Sequence, residues 1–187
     1  MAKSETHIIE CAISVISRYG YKKTTMADLA DAAGVSRQTL YNKYPNKEQV
    51  LRAAIRFGTE TGLAQVAELW ASGASVAEKI DMFFQIGPLN WYDMIMASPD
   101  SADLIEGFNT HAVDEMAEGT KRWVEALTGV FAPFETKLAE QGISTDAFAD
   151  FFYTTSANAK YNATSRAQLE TRLATLRATT LATLGER

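Results

Sequence analysis

Cysteine and histidine are scarce, with one cysteine, Cys11, and two histidines among 187 residues. A single thiol cannot form an internal disulfide, and there is no Cys/His pattern for zinc, so we expect no metal site and no cofactor. Long apolar runs are also missing, since no stretch reaches the length of a signal-peptide core or a membrane span. We therefore expect neither secretion nor membrane insertion, and we predict a cytoplasmic protein.

Enzyme signatures are not visible either. The sequence has no nucleophile elbow, no paired catalytic carboxylates in a recognisable frame, no phosphate-binding loop and no dinucleotide fingerprint. Cys11 lies near the predicted core face of the first helix, where a small buried hydrophobe is a better interpretation than a nucleophile or a redox sensor. The sequence therefore favours a binding protein over an enzyme.

The alternation of apolar and polar residues that marks β-strands is not sustained anywhere in the chain. Helical periodicity runs through almost all of it, which predicts an all-α fold of about nine helices. Capping residues and glycines set the first boundaries. The predicted N-terminal helices run from Ser4 to Gly20, Met26 to Ala33, Arg37 to about Lys43, and Lys47 to about Trp70.

Charge is unevenly distributed along the chain, although the net charge is −5. The first 56 residues carry nine Lys and Arg against five Asp and Glu, a net charge of +4, and the remainder carries −9. A small basic module on an acidic body is expected if only the module approaches phosphate.

Two of the short predicted helices are joined at Gly34, as in a helix-turn-helix motif. Ala30 is small where the helices would cross, Gly34 can adopt the positive φ of the turn, and Leu29 and Leu40 point inward. The second helix then faces solvent with side chains that can read base edges in a major groove, and hydroxyl, phenol and ammonium groups suited to phosphates lie around it. The predicted base readers are Arg37, Gln38, Thr39, Asn42 and Lys43, and the predicted phosphate contacts are Thr25, Ser36, Tyr41 and Lys47.

Residues from about Ile8 to Arg56 resemble the DNA-binding domain of the TetR family of bacterial transcriptional regulators. The resemblance rests on Tyr19-Gly20-Tyr21, Thr24-Thr25, Leu29-Ala30, Ala33-Gly34-Val35-Ser36, Thr39-Leu40-Tyr41 and Lys47-Glu48 with Leu51. It implies an all-helical homodimer, usually a repressor, whose three N-terminal helices bind operator DNA and whose variable C-terminal domain binds an effector. By position, Thr25, Tyr41 and Lys47 match family phosphate contacts, while Arg37, Gln38, Thr39 and Lys43 match positions that reach bases.

The sequence departs from the common family pattern in the second helix of the motif. Gln38 stands where a small residue is frequent, and Asn42-Lys43-Tyr44 replaces a segment that usually carries His or Tyr followed by Phe. These departures leave the motif intact but make the operator unpredictable. We assign residues 1–46 to the helix-turn-helix DNA-binding domain and residues 47–187 to an effector-binding and dimerisation domain.

The middle of the chain carries many large, adaptable apolar side chains, which can line an effector cavity or form an ordinary core. The family resemblance favours the cavity. The predicted effector-binding residues are Phe83, Phe84, Trp91, Tyr92, Met94, Phe108, His111, Trp123 and Phe131. Asp81, Asn90, Asp93 and His111 are candidate polar groups for orienting the effector, although His111 can equally be a surface residue.

The last two predicted helices carry adjacent apolar stripes, which favour a four-helix bundle with a second copy of the chain. The alternative is that both helices cover the core of their own protomer. The predicted interface residues are Phe148, Phe152, Thr155, Ala159, Leu169, Leu173 and Leu176.

Together these features predict a ligand-responsive regulator that binds double-stranded operator DNA as a homodimer. The favoured interpretation is a repressor released from a palindromic operator by a small apolar or amphipathic effector. Control by a protein partner and action as an activator stay open. So does the role of Gly58 and Gly62, which lie within the long fourth helix and are either hinges or sites of close packing.

Overall fold

The computed structural model describes residues 4–186, which are helical apart from turns and short connecting segments. The predicted all-α class is therefore confirmed. The helices are α1 Glu5–Tyr19, α2 Met26–Ala33, α3 Arg37–Lys43, α4 Lys47–Trp70, α5 Val76–Phe84, α6 Asn90–Ala97, α7 Ser101–His111, α8 Val113–Phe131, α9 Glu135–Ala139, α10 Thr145–Asn158 and α11 Arg166–Leu184. A π turn joins α5 to α6 and a 3₁₀ turn joins α8 to α9, so these eleven helices form nine continuous rods within the described residues.

The N-terminal helices begin and end where their capping residues predict. The Ser4 hydroxyl accepts a hydrogen bond from the His7 backbone N–H, and the Ser36 hydroxyl accepts one from that of Thr39. The Asn46 side chain accepts a hydrogen bond from the Gln49 N–H at 2.9 Å at the start of α4. Each cap satisfies a backbone donor that the helix itself leaves unpaired, which explains why these boundaries could be predicted from short sequence patterns.

The chain divides into two compact units. The first comprises the residues up to Thr61 together with Met94–Gly119. Its core is formed by aliphatic residues, among them Ile8, Leu29, Leu40, Leu51 and Leu104, each at most 1% exposed. The structural division thus differs from the predicted functional boundary at Lys47, because the first part of α4 and all of α7 belong to the unit that contains the helix-turn-helix motif. The functional boundary itself stays a prediction.

The second unit comprises Gly62–Asp93 and the residues from Thr120 onward. Its core is aromatic where α5, α8 and α10 contribute Phe83, Phe131 and Phe152, and aliphatic where α11 contributes Leu169 and Leu173. None of the described helices is long and apolar enough to cross a membrane.

Candidate nucleic-acid interface

The turn between α2 and α3 fixes the direction in which α3 leaves the first unit. Gly34 adopts φ 63° and ψ 38°, a left-handed conformation that costs glycine little. The backbone N–H groups of Gly34 and Val35 donate to the last carbonyls of α2, and the Val35 bond to Ala30 measures 3.0 Å. Ala30 and Leu40 have no exposed surface, so both helices are held from their inner faces.

The outer face of α3 is built entirely of polar side chains and one tyrosine. Every residue that was predicted to read bases is exposed, and Tyr41 is 48% exposed. Gln38 donates from Nε2 to Asn42 Oδ1 at 2.8 Å, and the hydroxyl oxygens of Ser36 and Thr39 lie 2.8 Å apart. The structure therefore brings Ser36, Arg37, Gln38, Thr39, Tyr41, Asn42 and Lys43 together on one continuous surface of the first unit.

Thr25 forms a capping box with Asp28 at the start of α2. Its hydroxyl donates to Asp28 Oδ2 at 2.7 Å, and the same hydroxyl accepts from the Asp28 N–H at 3.2 Å. Hydrogen bonds from the Thr25 side chain and backbone lower the pKa of the Asp28 carboxyl. Thr25 stays exposed, so its predicted contact with phosphate is sterically open.

Lys43 is paired with an acidic side chain from α1. Its Nζ lies 3.6 Å from Glu5 Oε2, and the Tyr44 hydroxyl donates to Glu5 Oε1 at 2.9 Å. Burial and the Glu5 carboxylate raise the pKa of the Tyr44 phenol. Glu5 therefore offsets part of the positive charge at the C-terminal end of α3.

Lys47 points into the first unit, not toward the exposed face of α3. Its Nζ donates to the carbonyls of Tyr21 at 2.7 Å and Thr24 at 2.8 Å, with a longer contact of 3.4 Å to that of Lys22. The ammonium also lies 4.3 Å from the centroid of the Tyr21 ring. Burial lowers the pKa of Lys47. This side chain anchors the segment between α1 and α2 through two of its three N–H donors, and its predicted phosphate contact stays a prediction.

Asp103 of α7 contacts the same segment and was not singled out from the sequence. Its Oδ2 accepts the Lys22 backbone N–H at 2.8 Å, although the side chain is only 6% exposed. This bond is flanked by two ion pairs between side chains that are more exposed than Asp103, Lys22–Glu106 at 2.7 Å and Lys23–Asp100 at 3.5 Å. The only sequence signal was the recurrence of acids along α7, which a solvated helix also shows.

The predicted effector residues are divided between the two units. Met94, Phe108 and His111 lie in the first, whereas Phe83, Phe84, Trp91, Tyr92, Trp123 and Phe131 lie in the second. The His111 ring lies 5.0 Å from that of Tyr21, and its Nδ1 lies 3.8 Å from Glu48. Asp81 and Asp93 are paired at the surface with Arg177 and Arg166.

The phenylalanines of the second unit pack against one another. Phe83 lies 5.7 Å from Phe152 and 5.4 Å from Trp123 between ring centroids, and Phe131 lies 5.3 Å from Phe152. Phe83, Phe131 and Phe152 are at most 1% exposed, and Phe84 is 5% exposed. A ligand bound among these rings would have to displace them, and the other predicted effector residues stay a prediction.

The structure places five of the seven predicted interface residues in the core of their own protomer. Phe148, Phe152, Leu169, Leu173 and Leu176 are each at most 8% exposed. The two remaining residues, Thr155 and Ala159, line an open concavity of about 460 Å³. Its other lining residues are Thr154, Asn158, Arg172 and Leu176. The inward stripes of α10 and α11 are therefore covered within the chain, and only the outer faces can contact a second copy.

The geometry of the first unit defines a helix-turn-helix protein whose second motif helix presents a polar surface. Residues 8–54 match the model for bacterial regulatory proteins of the tetR family. The chain is 35% identical over 80 residues to YezE, an uncharacterized HTH-type transcriptional regulator of Bacillus subtilis, and this match covers 43% of the chain and 41% of YezE.

Solved structures agree with this match over most of the chain. A TetR transcriptional regulator from Legionella pneumophila superposes with a TM-score of 0.71 at 19% identity, covering 96% of this chain and 98% of that one. FadR from Bacillus subtilis, in complex with stearoyl-CoA, superposes with a TM-score of 0.58 at 17% identity. This match covers 94% of this chain and 98% of that one. Residues 8–54 are thus similar to bacterial regulatory proteins of the tetR family, and the chain as a whole shares the fold of solved transcriptional regulators. The matched proteins are transcriptional regulators and not enzymes, in agreement with the expectation from the sequence.

Proposed function

We propose that the protein is a transcriptional repressor that binds a palindromic operator as a homodimer and is released from it by a small apolar or amphipathic effector. The observation that carries the DNA-binding part is the exposed polar face of α3, held outward by the buried Leu40 and by the turn at Gly34. A helix presented in this way can enter a major groove, where Arg, Gln and Asn side chains match the base edges.

Charge supports the same proposal. The first 56 residues carry a net +4 although the whole chain carries −5. Two such modules in a dimer can bind half-sites about 34–36 Å apart, although acids of α7 pair with Lys22 and Lys23.

Selection from a random duplex library, followed by footprinting of the enriched sequence, tests this function. We expect a palindromic site bound with an affinity that falls steeply as salt is raised. Arg37→Ala should lower affinity at particular base pairs by about 1–3 kcal/mol and leave binding to random DNA nearly unchanged. Recovery of no preferred sequence would contradict the proposal.

A second candidate is regulation by a protein partner instead of a small molecule. The packing of Phe83, Phe84, Phe131 and Phe152 favours it, because their rings fill the space that an effector would need. The ligand-responsive proposal is in turn supported by FadR, a regulator of the same fold whose complex contains the amphipathic ligand stearoyl-CoA.

Mass spectrometry of compounds released by denaturing the purified protein separates these two candidates. A bound compound should reappear on titration and lower operator affinity about five- to 150-fold, the usual range of allosteric coupling. Recovery of no compound, together with a partner that releases the operator, would favour the second candidate.

A further inference from the structure

The Gln38–Asn42 pair stands out on α3 because the two amides hydrogen-bond to each other. Both side chains are exposed and lie one helical turn apart, and Gln38 Nε2 donates to Asn42 Oδ1 at 2.8 Å. The backbone beneath them is fixed by the Ser36 cap, by the buried Leu40 and by the Tyr44 N–H bond to the Leu40 carbonyl. The hydrogen bond therefore orients the two exposed amides relative to each other on this fixed backbone.

The direction of the hydrogen bond decides which groups the pair leaves for a partner. A glutamine amide has one carbonyl acceptor and two N–H donors. One Gln38 N–H is taken by Asn42, so the Oε1 acceptor and the other N–H remain. One acceptor beside one donor matches the major-groove edge of adenine, which presents the N6 amino donor and the N7 acceptor.

We propose that Gln38 reads an adenine in the major groove and that Asn42 is the positioning residue that holds its amide in the reading orientation. The inference rests on the proposed DNA-binding function. The opposite hydrogen bond, with Asn42 as donor to Gln38 Oε1, would leave Gln38 both N–H groups and one lone pair on Oε1, a set that suits guanine as well as adenine. The direction Gln38 Nε2 to Asn42 Oδ1, which occupies one Gln38 N–H, therefore favours adenine.

Asn42 keeps both of its own N–H donors after accepting from Gln38. These donors are available to acceptors on the nucleic acid, either a phosphate oxygen or a base carbonyl, and such a contact would hold the pair in the groove. A helix-surface hydrogen bond between residues four apart can also stabilise the helix alone. That simpler role would change the stability of the protein and leave its base preference untouched, which gives the two roles different signatures.

The experiment determines base preference at every operator position for the full chain and for Gln38→Ala, Asn42→Ala and the double variant. Each protein is used in selection from a random duplex library, and affinities are then measured on single base-pair substitutions of the recovered site. Arg37→Ala is the matched control, because Arg37 is exposed on the same helix and outside the pair. Thermal unfolding of each variant checks that the fold is retained.

We expect the wild-type chain to prefer adenine at one position of each half-site by about 5- to 150-fold over other bases. Gln38→Ala should abolish this preference, and Asn42→Ala should reduce it at the same position by about twofold or more. Asn42→Ala should add nothing further in the Gln38→Ala background, and Arg37→Ala should act at other positions.

The conservative variant Asn42→Asp tests whether an acceptor oxygen at this position is enough to retain the adenine preference. Asn42→Asp keeps an oxygen to accept from Gln38, so the adenine preference should be retained while affinity falls for all sequences, because a negative charge is added near phosphate. Selection of guanine, or an Asn42→Ala variant that keeps the full preference or acts at another base pair, overturns the inference while DNA binding stands. Recovery of no preferred sequence by the wild-type chain overturns the inference and the proposed function together.

Discussion

At Gly20, both the backbone conformation and the tertiary packing require a residue without a side chain. Its φ of +85° is unfavourable for any residue with a side chain, and a Cβ there would lie 2.8 Å from Asp103 Oδ2. That oxygen cannot move freely, since Asp103 is buried and accepts the Lys22 N–H. Gly20→Ala should therefore lower the free energy of unfolding by about 2–4 kcal/mol.

Gly73→Ala is the matched control for this prediction. Gly73 has almost the same φ, +83°, but a Cβ at this position would meet no heavy atom within 4 Å. Gly73→Ala should therefore lower the free energy of unfolding only by the cost of the positive φ, about 1–2 kcal/mol, as measured by chemical denaturation. Equal losses in the two variants would mean that neither the contact with Asp103 nor the ψ of 160° at Gly20 adds to the cost of a positive φ.

Lys47 shows how a residue in a family motif can have a structural task. Lys47→Met keeps most of the side-chain stem but removes the donors to the Tyr21 and Thr24 carbonyls. The free energy of unfolding should fall by about 1–3 kcal/mol, since part-buried carbonyls lose their partner. The slope of DNA affinity against salt should stay nearly unchanged if the ammonium keeps these carbonyl contacts and neutralises no phosphate.

Lys43→Met is the comparison for Lys47→Met. Lys43 is 39% exposed and paired with the exposed Glu5, so stability should change by less than about 1 kcal/mol. Its salt slope should fall by about one unit if Lys43 contacts phosphate. A salt slope that falls with Lys47→Met and stays unchanged with Lys43→Met would instead support a phosphate contact by Lys47.

Capping residues were predictable and anchoring contacts were not, for one physical reason. Ser4, Thr25 and Ser36 bond to backbone groups three residues away, so a short window of sequence contains both partners. Lys47 bonds to carbonyls 23 to 26 residues away, and Asp103 bonds 81 residues away. Such distances are set by tertiary packing, which the local pattern does not encode.

Among the elements, α4 contains two glycines with different surroundings. A Cβ at Gly58 would meet nothing within 4 Å, whereas one at Gly62 would lie 3.0 Å from Trp123 Cζ2. Gly58→Ala should therefore raise the free energy of unfolding by up to about 1 kcal/mol through helix propensity. Gly62→Ala should gain less or become destabilising, because the nearly buried Trp123 has to move.

The variants Gly58→Ala and Gly62→Ala also test whether either glycine is a hinge. If Gly58 is one, Gly58→Ala should change operator affinity or the response to an effector while making the protein more stable. Chemical denaturation and operator titration measure the two quantities separately. A larger stability gain for Gly62→Ala than for Gly58→Ala would contradict the packing argument.

α10 and α11 illustrate the limit of periodicity as a guide. The spacing of Phe148, Phe152, Leu169 and Leu173 correctly predicts two apolar stripes. A stripe shows that a face is covered, but not whether the cover is the same chain or a second copy. The structure places these residues in the core of the protomer, with Phe152 and Leu169 showing no exposed surface.

At the scale of the whole molecule, the remaining apolar surface of the second unit bears on the proposed homodimer. Phe151 is 59% exposed on α10, although its neighbours Phe148 and Phe152 are buried. The open concavity lined by Thr154, Thr155 and Asn158 of the same helix also reaches Leu176 of α11. An exposed phenylalanine beside such a surface is the first residue to substitute when the dimer contact is sought.

Phe151→Glu should convert a dimer to a monomer if the outer face of α10 forms the interface, because a carboxylate would be buried without a partner. Sedimentation at micromolar concentration measures the change, and operator affinity should fall to that of a single half-site. Stability of the monomer should change by less than about 0.5 kcal/mol, since Phe151 is exposed. Leu69→Glu, at a position that is 40% exposed in the same unit, should leave the dimer intact. A dimer that survives Phe151→Glu would place the interface on another face of the chain.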